Sequence, residues 1–221
     1  MPKGSAELTA ARREEIMDAC ESLYRTMNFK DITLKEIGTV TSFTRTSIYN
    51  YFHSKEEIFL ALFEREYREW TEDLERIAAA PVTHAPDKLA AEIADTLSRR
   101  ELMLRLLSAN LYDLEDNSRM ERLIEFKQAY FESSAAMDRI LAAGYPSLSD
   151  IDRRLTLLTL FEFLHGIYPY AHATPKQKEA MDAVGIAYEE YTLKEFAYEG
   201  IRRILRSIDR KRRQTEWARN S

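Results

Sequence analysis

Phe59, Phe63, Tyr67, Trp70, Leu74 and Ile77 follow one another at steps of three and four residues. That spacing puts all six on one face of an α-helix, because only a 3.6-residue period brings them into line. The same period recurs along nearly the whole chain. Ile16, Cys20, Leu23 and Met27 fall at i, i+4, i+7 and i+11, which predicts a first helix from about Thr9 to Met27. Only six glycines and six prolines interrupt 221 residues, too few for an all-β or disordered chain. With 45% hydrophobic residues the chain can bury the core of one large or two small domains. The expected fold class is all-α.

Helix boundaries are signalled by capping chemistry. Thr33-Leu34-Lys35-Glu36 has the form of a capping box and opens a short helix carrying Ile37 and Val40 inward. Thr41-Ser42-Phe43 breaks that helix. Thr44 is the next N-cap, for a helix running to about Phe52, and Ser54-Lys55-Glu56-Glu57 is a second capping box that starts the long aromatic helix. Ala78 to Pro81 ends it, and Pro81 to Pro86 forms a boundary. Further helices are expected at Asp87–Leu97, Arg100–Leu114 (Leu102, Leu106, Ala109 and Asp113 in register), Met120–Ala143, Ser149–Tyr170, Lys176–Tyr191 and Leu193–Arg213. The Ser149–Tyr170 segment is apolar nearly all round, so it should be buried or paired with another chain. These boundaries divide the chain into residues 1–55, a connecting helix over 56–80 and a second helical domain over 81–221.

Charge and composition narrow the function. The formal net charge is −5, so a nucleic-acid contact must come from a local surface. Residues 1–55 carry 8 Lys/Arg and 7 Asp/Glu, net +1, so binding there would depend on placed contacts rather than a broad field. Cys20 stands alone and reads as a small buried residue in a reducing compartment. No apolar leader and no stretch of about 20 apolar residues is present, and the expected location is cytoplasmic. Gly-rich phosphate loops, HExxH, CxxC and GxSxG are absent, and His53, His84, His165 and His172 lack metal-ligand spacing. The chain is therefore expected to be no enzyme and to need neither metal nor cofactor. The basic run at 210–219 reads as a solvated helix end.

Two short helices joined by a few residues under an earlier helix make a helix-turn-helix. In that motif the second helix enters the DNA major groove and its first residues meet base edges. Those residues are Arg45, Thr46 and Ser47. Arg suits guanine bidentately, while Thr and Ser donate, accept or meet a thymine methyl. Ile48 and Phe52 lie four apart and face inward with Ile37, Val40 and Phe43. Tyr49 presents its hydroxyl outward, and Lys55 adds charge at the start of the next helix.

Residues 9 to 63 resemble the tetracycline-repressor-like (TetR) family of bacterial transcription regulators. The resemblance rests on Phe29, Thr33 and Ile37, and above all on Ser47-Ile48-Tyr49-Asn50-Tyr51-Phe52-x-Ser54-Lys55-Glu56. It implies an N-terminal three-helix DNA-binding domain and a C-terminal helical bundle that holds a small effector. It also implies a homodimer, formed by the last two long helices, on a palindromic double-stranded operator. Carried over residue by residue, the DNA-contacting positions are Lys35, Arg45, Thr46, Ser47, Tyr49, Asn50, Tyr51 and Lys55, with Arg12 and Arg13 as possible additions. Thr46 stands where a small residue is common and Gly38 where Ala is common. Ser42 stands where the family usually has Gly, and because Ser tolerates a left-handed backbone less well, the turn is expected to differ slightly.

In the second half, Glu162 is the only charge in LTLLTLFEFLHGIYPYAH and lies three residues from His165, so the two share a helix face. Gly166 and Pro169 predict a kink beside them. That pair could line a pocket or form a buried hydrogen-bonded pair in a bundle or dimer interface. The remaining pocket candidates are Met103, Leu107, Tyr112, Phe126, Tyr130, Met137, Phe161 and Tyr168, a lining that suits an apolar or aromatic effector with one polar or cationic group. The leading expectation is a ligand-responsive repressor that a small molecule releases from its operator. One alternative is a DNA-binding regulator of this fold governed by a protein partner or by no small effector. Another is a helical metabolite- or lipid-binding protein.

Overall fold

The computed structural model describes the backbone of residues 3–81, 85–108 and 111–220 and the side chains of residues 6–81, 85–108 and 111–208. His84, Ala109 and the side chains of the basic run at 210–219 lie outside the described residues. Among the described residues the regular structure is helical and no strand forms. No described helix is long and apolar enough to cross a membrane. The chain forms two compact units, Met1–Arg65 with Asn110–Ala129, and Glu66–Ala109 with Tyr130–Ser221.

The first unit begins with α1 (Lys3–Thr26), which starts earlier than its apolar stripe. Ile16, Cys20 and Tyr24 are buried, whereas Leu23 and Met27 are only half-buried. After a 3-10 turn at Phe29–Asp31, α2 (Leu34–Thr39) starts at Thr33, whose hydroxyl accepts from the backbone of Lys35 and Glu36. The Glu36 carboxylate accepts from the Thr33 hydroxyl itself, so only half of the anticipated box forms. Val40, expected inward, is 53% exposed. It is the C-cap of α2, with φ −117° and ψ 12°, and leaves the helical phase that would have turned it to the core.

Next, α3 (Arg45–Ile48) is shorter than the expected run to Phe52. Its last turn tightens: Asn50 and Tyr51 donate to carbonyls three residues back, and Phe52 donates to Ile48 at 3.0 Å. Gly38 lets α2 and α3 approach, since a Cβ there would lie 3.3 Å from the Arg45 nitrogen. The intervening turn uses no left-handed residue, because among the described residues only Gly185 has a positive φ. Ser42 instead donates its N–H to the Glu15 carboxylate on α1 at 2.7 Å. Ser54 caps α4 (Lys55–Ala79) by accepting from the Glu57 N–H. The unit is completed by α7 (Leu111–Asp116) and the start of α8 (Met120–Gly144). Its core joins Tyr24 and Phe29 edge-on to Phe59, and Phe63 to Phe126.

The second unit takes the rest of α4 and α8 with α5 (Pro86–Ser98), α6 (Glu101–Leu107), α9 (Asp150–Ala171), α10 (Pro175–Ala183) and α11 (Leu193–Asn220). The single helix expected over 100–114 is therefore two. The helix expected over 176–191 ends at Ala183, because Gly185 turns the chain out through φ +72°. On α9 the residues Thr156, Leu160, Phe161, Leu164 and Ile167 are buried while Ile151, Leu155 and Leu158 are exposed. That helix continues through Pro169 to Ala171. It packs on α11 by laying the Phe163 ring over Gly200, where any Cβ would fall 2.0 Å from the ring.

Candidate functional site

The short α3 segment sorts its side chains by face. Ile48 and Phe52 are fully buried, while Arg45, Thr46, Tyr49 and Asn50 are exposed and Ser47 is half-buried. Four-residue spacing accounts for the buried pair, as the sequence implied. Thr44 holds the start by accepting from the Ser47 N–H at 3.2 Å. The outward groups are tethered to one another. Arg45 donates to the Tyr49 hydroxyl at 3.1 Å and lies 5.8 Å from that ring's centre. Arg12 donates to the Tyr51 hydroxyl at 3.1 Å and lies over Phe43, which meets Tyr51 edge-on. Arg13 sits over Phe52, and burial followed by the nearby Arg122 charge lowers its pKa. Lys35 is exposed on α2. The surface thus offers guanidinium, hydroxyl and amide donors together, the chemistry that meets phosphates and base edges.

Lys55 is arranged differently. It is half-buried, donates to the Phe29 carbonyl at 2.7 Å and lies 4.2 Å from the centre of the Phe29 ring. One of its three N–H bonds therefore ties the start of α4 to the turn before α2.

A clamp that sequence reasoning missed fixes the same helix start. Glu57, 1% exposed, accepts from the His53 N–H at 2.8 Å, from the Arg119 N–H at 3.1 Å and from the Arg119 side chain at 2.6 and 2.8 Å. Burial pushes its carboxyl up, but the hydrogen bonds from Arg119 and the two backbone groups outweigh that and hold it down at about 2. The Ser54 hydroxyl donates to the Asn117 carbonyl at 3.0 Å beside it. The signal for Glu57 was present as the last residue of a capping box, though the carboxylate reaches His53 rather than the cap residue. Nothing local marked Arg119, 62 residues away.

The proposed effector residues do not assemble into one lining. Tyr112, 85% exposed, and Phe126, buried on Phe63, belong to the first unit. In the second unit Met103, Leu107, Met137 and Phe161 are core. Phe161 meets Tyr130 and Trp70 in an aromatic cluster that Tyr67 extends. Trp70 donates to Thr96 at 3.0 Å within it, and burial raises the Tyr67 and Tyr130 hydroxyl pKa values. Glu162 and His165 are exposed rather than a buried pair, and a His165 ring nitrogen meets the Leu107 carbonyl at 3.1 Å. Tyr168 stacks on His172. Among the described residues no group of three His, Cys, Asp or Glu could hold a metal.

Known proteins match both halves of the chain. The family model for the tetracyclin repressor-like C-terminal domain matches residues 64–207. An uncharacterized HTH-type transcriptional regulator of Bacillus subtilis, YfiR, is 29% identical over 105 residues, 44% of this chain and 51% of that protein. The HTH-type transcriptional repressor Rv1474c of Mycobacterium tuberculosis is 30% identical over 79 residues, 36% of this chain and 38% of that protein. The matches thus span about half or less of these relatives' own length. A transcriptional regulator of the TetR/AcrR family from Thermobifida fusca shares the fold, with TM-score 0.60 at 24% identity over 88% of this chain and 97% of that one.

Proposed function

The chain belongs to the tetracyclin repressor-like (TetR) family of transcriptional regulators, and from that premise we propose that it is a cytoplasmic repressor that binds a palindromic operator as a homodimer and is released by a small molecule. The observation that carries this reading is the α3 face: a capped segment anchored by Ile48 and Phe52, with Arg45, Thr46, Tyr49 and Asn50 exposed together. Arg45 reads guanine, and Thr46, Ser47 and Asn50 meet base edges or phosphates. Tyr49, Tyr51 and Lys35 supply phosphate contacts. Lys55 keeps two of its N–H bonds for a phosphate while the third holds Phe29.

Dimerisation is supported by Ile151, Leu155 and Leu158, which form an exposed apolar stripe at i, i+4 and i+7 on α9. A palindromic operator needs two chains, whose α3 segments must meet successive major grooves about 34–36 Å apart. An effector that binds better to another spacing would draw the population away from DNA. The experiment is fluorescence anisotropy at fixed salt, titrating full-length protein into duplexes tiled across the DNA flanking its own gene. One duplex should bind as a two-chain complex at least about 10³ more tightly than a scrambled duplex. Equal affinity for every duplex would sink the proposal.

A further inference from the structure

The second unit carries an open cleft of about 500 Å³ that none of the roles above uses. It lies between the end of α9, the α10 helix and the chain leading into α11, and His172, Lys178, Tyr188, Glu190, Tyr191 and Glu195 line it. The excursion that builds it is poorly supported from within. None of the nine residues of α10 is buried, and helices shorter than about 12 residues are marginal alone. Val184, Ile186 and Tyr191 beyond it, and Tyr170 at the end of α9, are exposed.

A small polar assembly holds the excursion. The Tyr188 hydroxyl donates to the Tyr170 carbonyl at 3.2 Å and accepts from the Ala173 N–H at 3.3 Å. Lys178 lies 4.9 Å from the centre of the Tyr188 ring and pairs with Glu190. An ammonium over an aromatic face and against a carboxylate is the arrangement that recognises organic cations. Here the chain's own lysine fills it. The surroundings carry partial charges of both signs. The carbonyl end of α9 and the Glu195 carboxylate, which accepts from the Thr192 N–H and hydroxyl, are negative, and the start of α11 is positive, so the full negative charge of Glu190 marks the cation position. Glu190 is held below its usual range by the Lys178 pair, so it is ionised at neutral pH.

We propose that this cleft is a binding site for an organic cation with an attached aromatic or aliphatic group, which replaces the Lys178 ammonium on Tyr188 and Glu190. The lysine is then an internal competitor. Displacing it would free the contact that ties α10 to the 188–190 chain, so occupancy would be felt in the α10 excursion.

Calorimetric titration of the full-length protein without DNA tests this, with benzyltrimethylammonium as probe and benzoate as its anionic counterpart. Wild type should bind the cation and not benzoate. Lys178→Met should bind the cation about tenfold more tightly, because the competitor is gone, and Glu190→Gln and Tyr188→Ala should each bind about tenfold more weakly. Weaker cation binding by Lys178→Met, a preference for benzoate, or no cation binding by either wild type or Lys178→Met would overturn the proposal. Lys178→Gln, compared by circular dichroism with wild type, serves if the Met variant fails to fold. Because no DNA is present, failure here leaves the operator reading untouched, and failure to bind DNA leaves this one untouched.

Discussion

The α3 face and the aromatic interior of the second unit are both built from helices, yet they answer differently to their local sequence. Around α3 a run of nine residues decides nearly everything. Thr44 caps, Ile48 and Phe52 anchor, and Arg45 and Tyr49 meet four residues apart. In the second unit, neighbours come from far along the chain: Trp70 donates to Thr96, Thr71 meets Ser133, and Phe163 lies over Gly200. Helical period tells which residues point inward, but not which inward residues leave space between them. A recognition surface made within one turn can be read from spacing; a pocket made between helices cannot.

The comparison breaks first at Arg119, because the locally written α3 region also depends on a distant residue. Arg119→Ala should be the most damaging change, about 3 kcal/mol by urea unfolding, since it leaves Glu57 as a buried charge without its guanidinium. The partial exposure of Arg119 keeps the figure at the low end for such pairs. The pH dependence has a definite sign. Glu57 titrates at about 2 when folded against an ordinary 4.5, so its contribution is present above pH 4.5 and is lost as pH falls from there toward 2. Glu57→Gln should remove that acid limb from the stability curve. An unchanged limb would mean the clamp does not control the start of α4.

Gly200→Ala tests the long-range side of the contrast. The new methyl would fall on the Phe163 ring, which itself stacks on Phe196, so the ring must leave its place. Unfolding should show a loss of about 2 kcal/mol, as for overpacked helix contacts, and Phe163→Leu in the same chain should recover part of it. Additive losses in the double variant would show that the ring and the glycine are not partners.

Arg45→Ala comes next, and its effect should appear in binding rather than folding. A guanine-reading arginine contributes about 1–3 kcal/mol of discrimination, so preference at one base pair should relax about tenfold while the unfolding midpoint stays fixed. Tyr49→Phe should cost less, about 1 kcal/mol of affinity with sequence preference kept, since it removes one hydroxyl that also accepts from Arg45. Anisotropy on matched and single-substituted duplexes separates the two. If both variants lose affinity equally on every duplex, Arg45 contacts backbone alone.

These predictions follow how legible each part was. Most helix positions, the inward pair Ile48 and Phe52, the Thr44 cap and buried Cys20 were readable, because period and capping are local. Val40 was misread because its backbone leaves the helix one residue early. The break after Ala183 was missed because Gly185 sits in an otherwise helix-like run. Glu162 and His165 do share a helix, but which side of α9 faces the core is set by α6 and α11: Glu162 lies outside that side, and His165 meets α6 at its edge through the Leu107 carbonyl.

The smallest test turns on Ser42, where a glycine would be usual. A left-handed turn would make Ser strained, and Ser42→Gly would then stabilise the protein. The observed turn has no left-handed residue, and Ser42 is held by the Glu15 carboxylate through its backbone N–H. That hydrogen bond survives substitution to glycine, but the Ser42 hydroxyl, which also bonds the Glu15 carboxylate and does most to lower its pKa, is lost. The unfolded chain also gains conformational freedom, and Ser42→Gly should therefore destabilise by about 0.5–1 kcal/mol. Glu15→Ala should remove the partner of both bonds and make the same glycine less harmful, because only the chain-entropy cost is then left. A stabilising Ser42→Gly, measured by urea unfolding beside Glu15→Ala, would mean the turn is left-handed after all and that the α1 contact does not shape it.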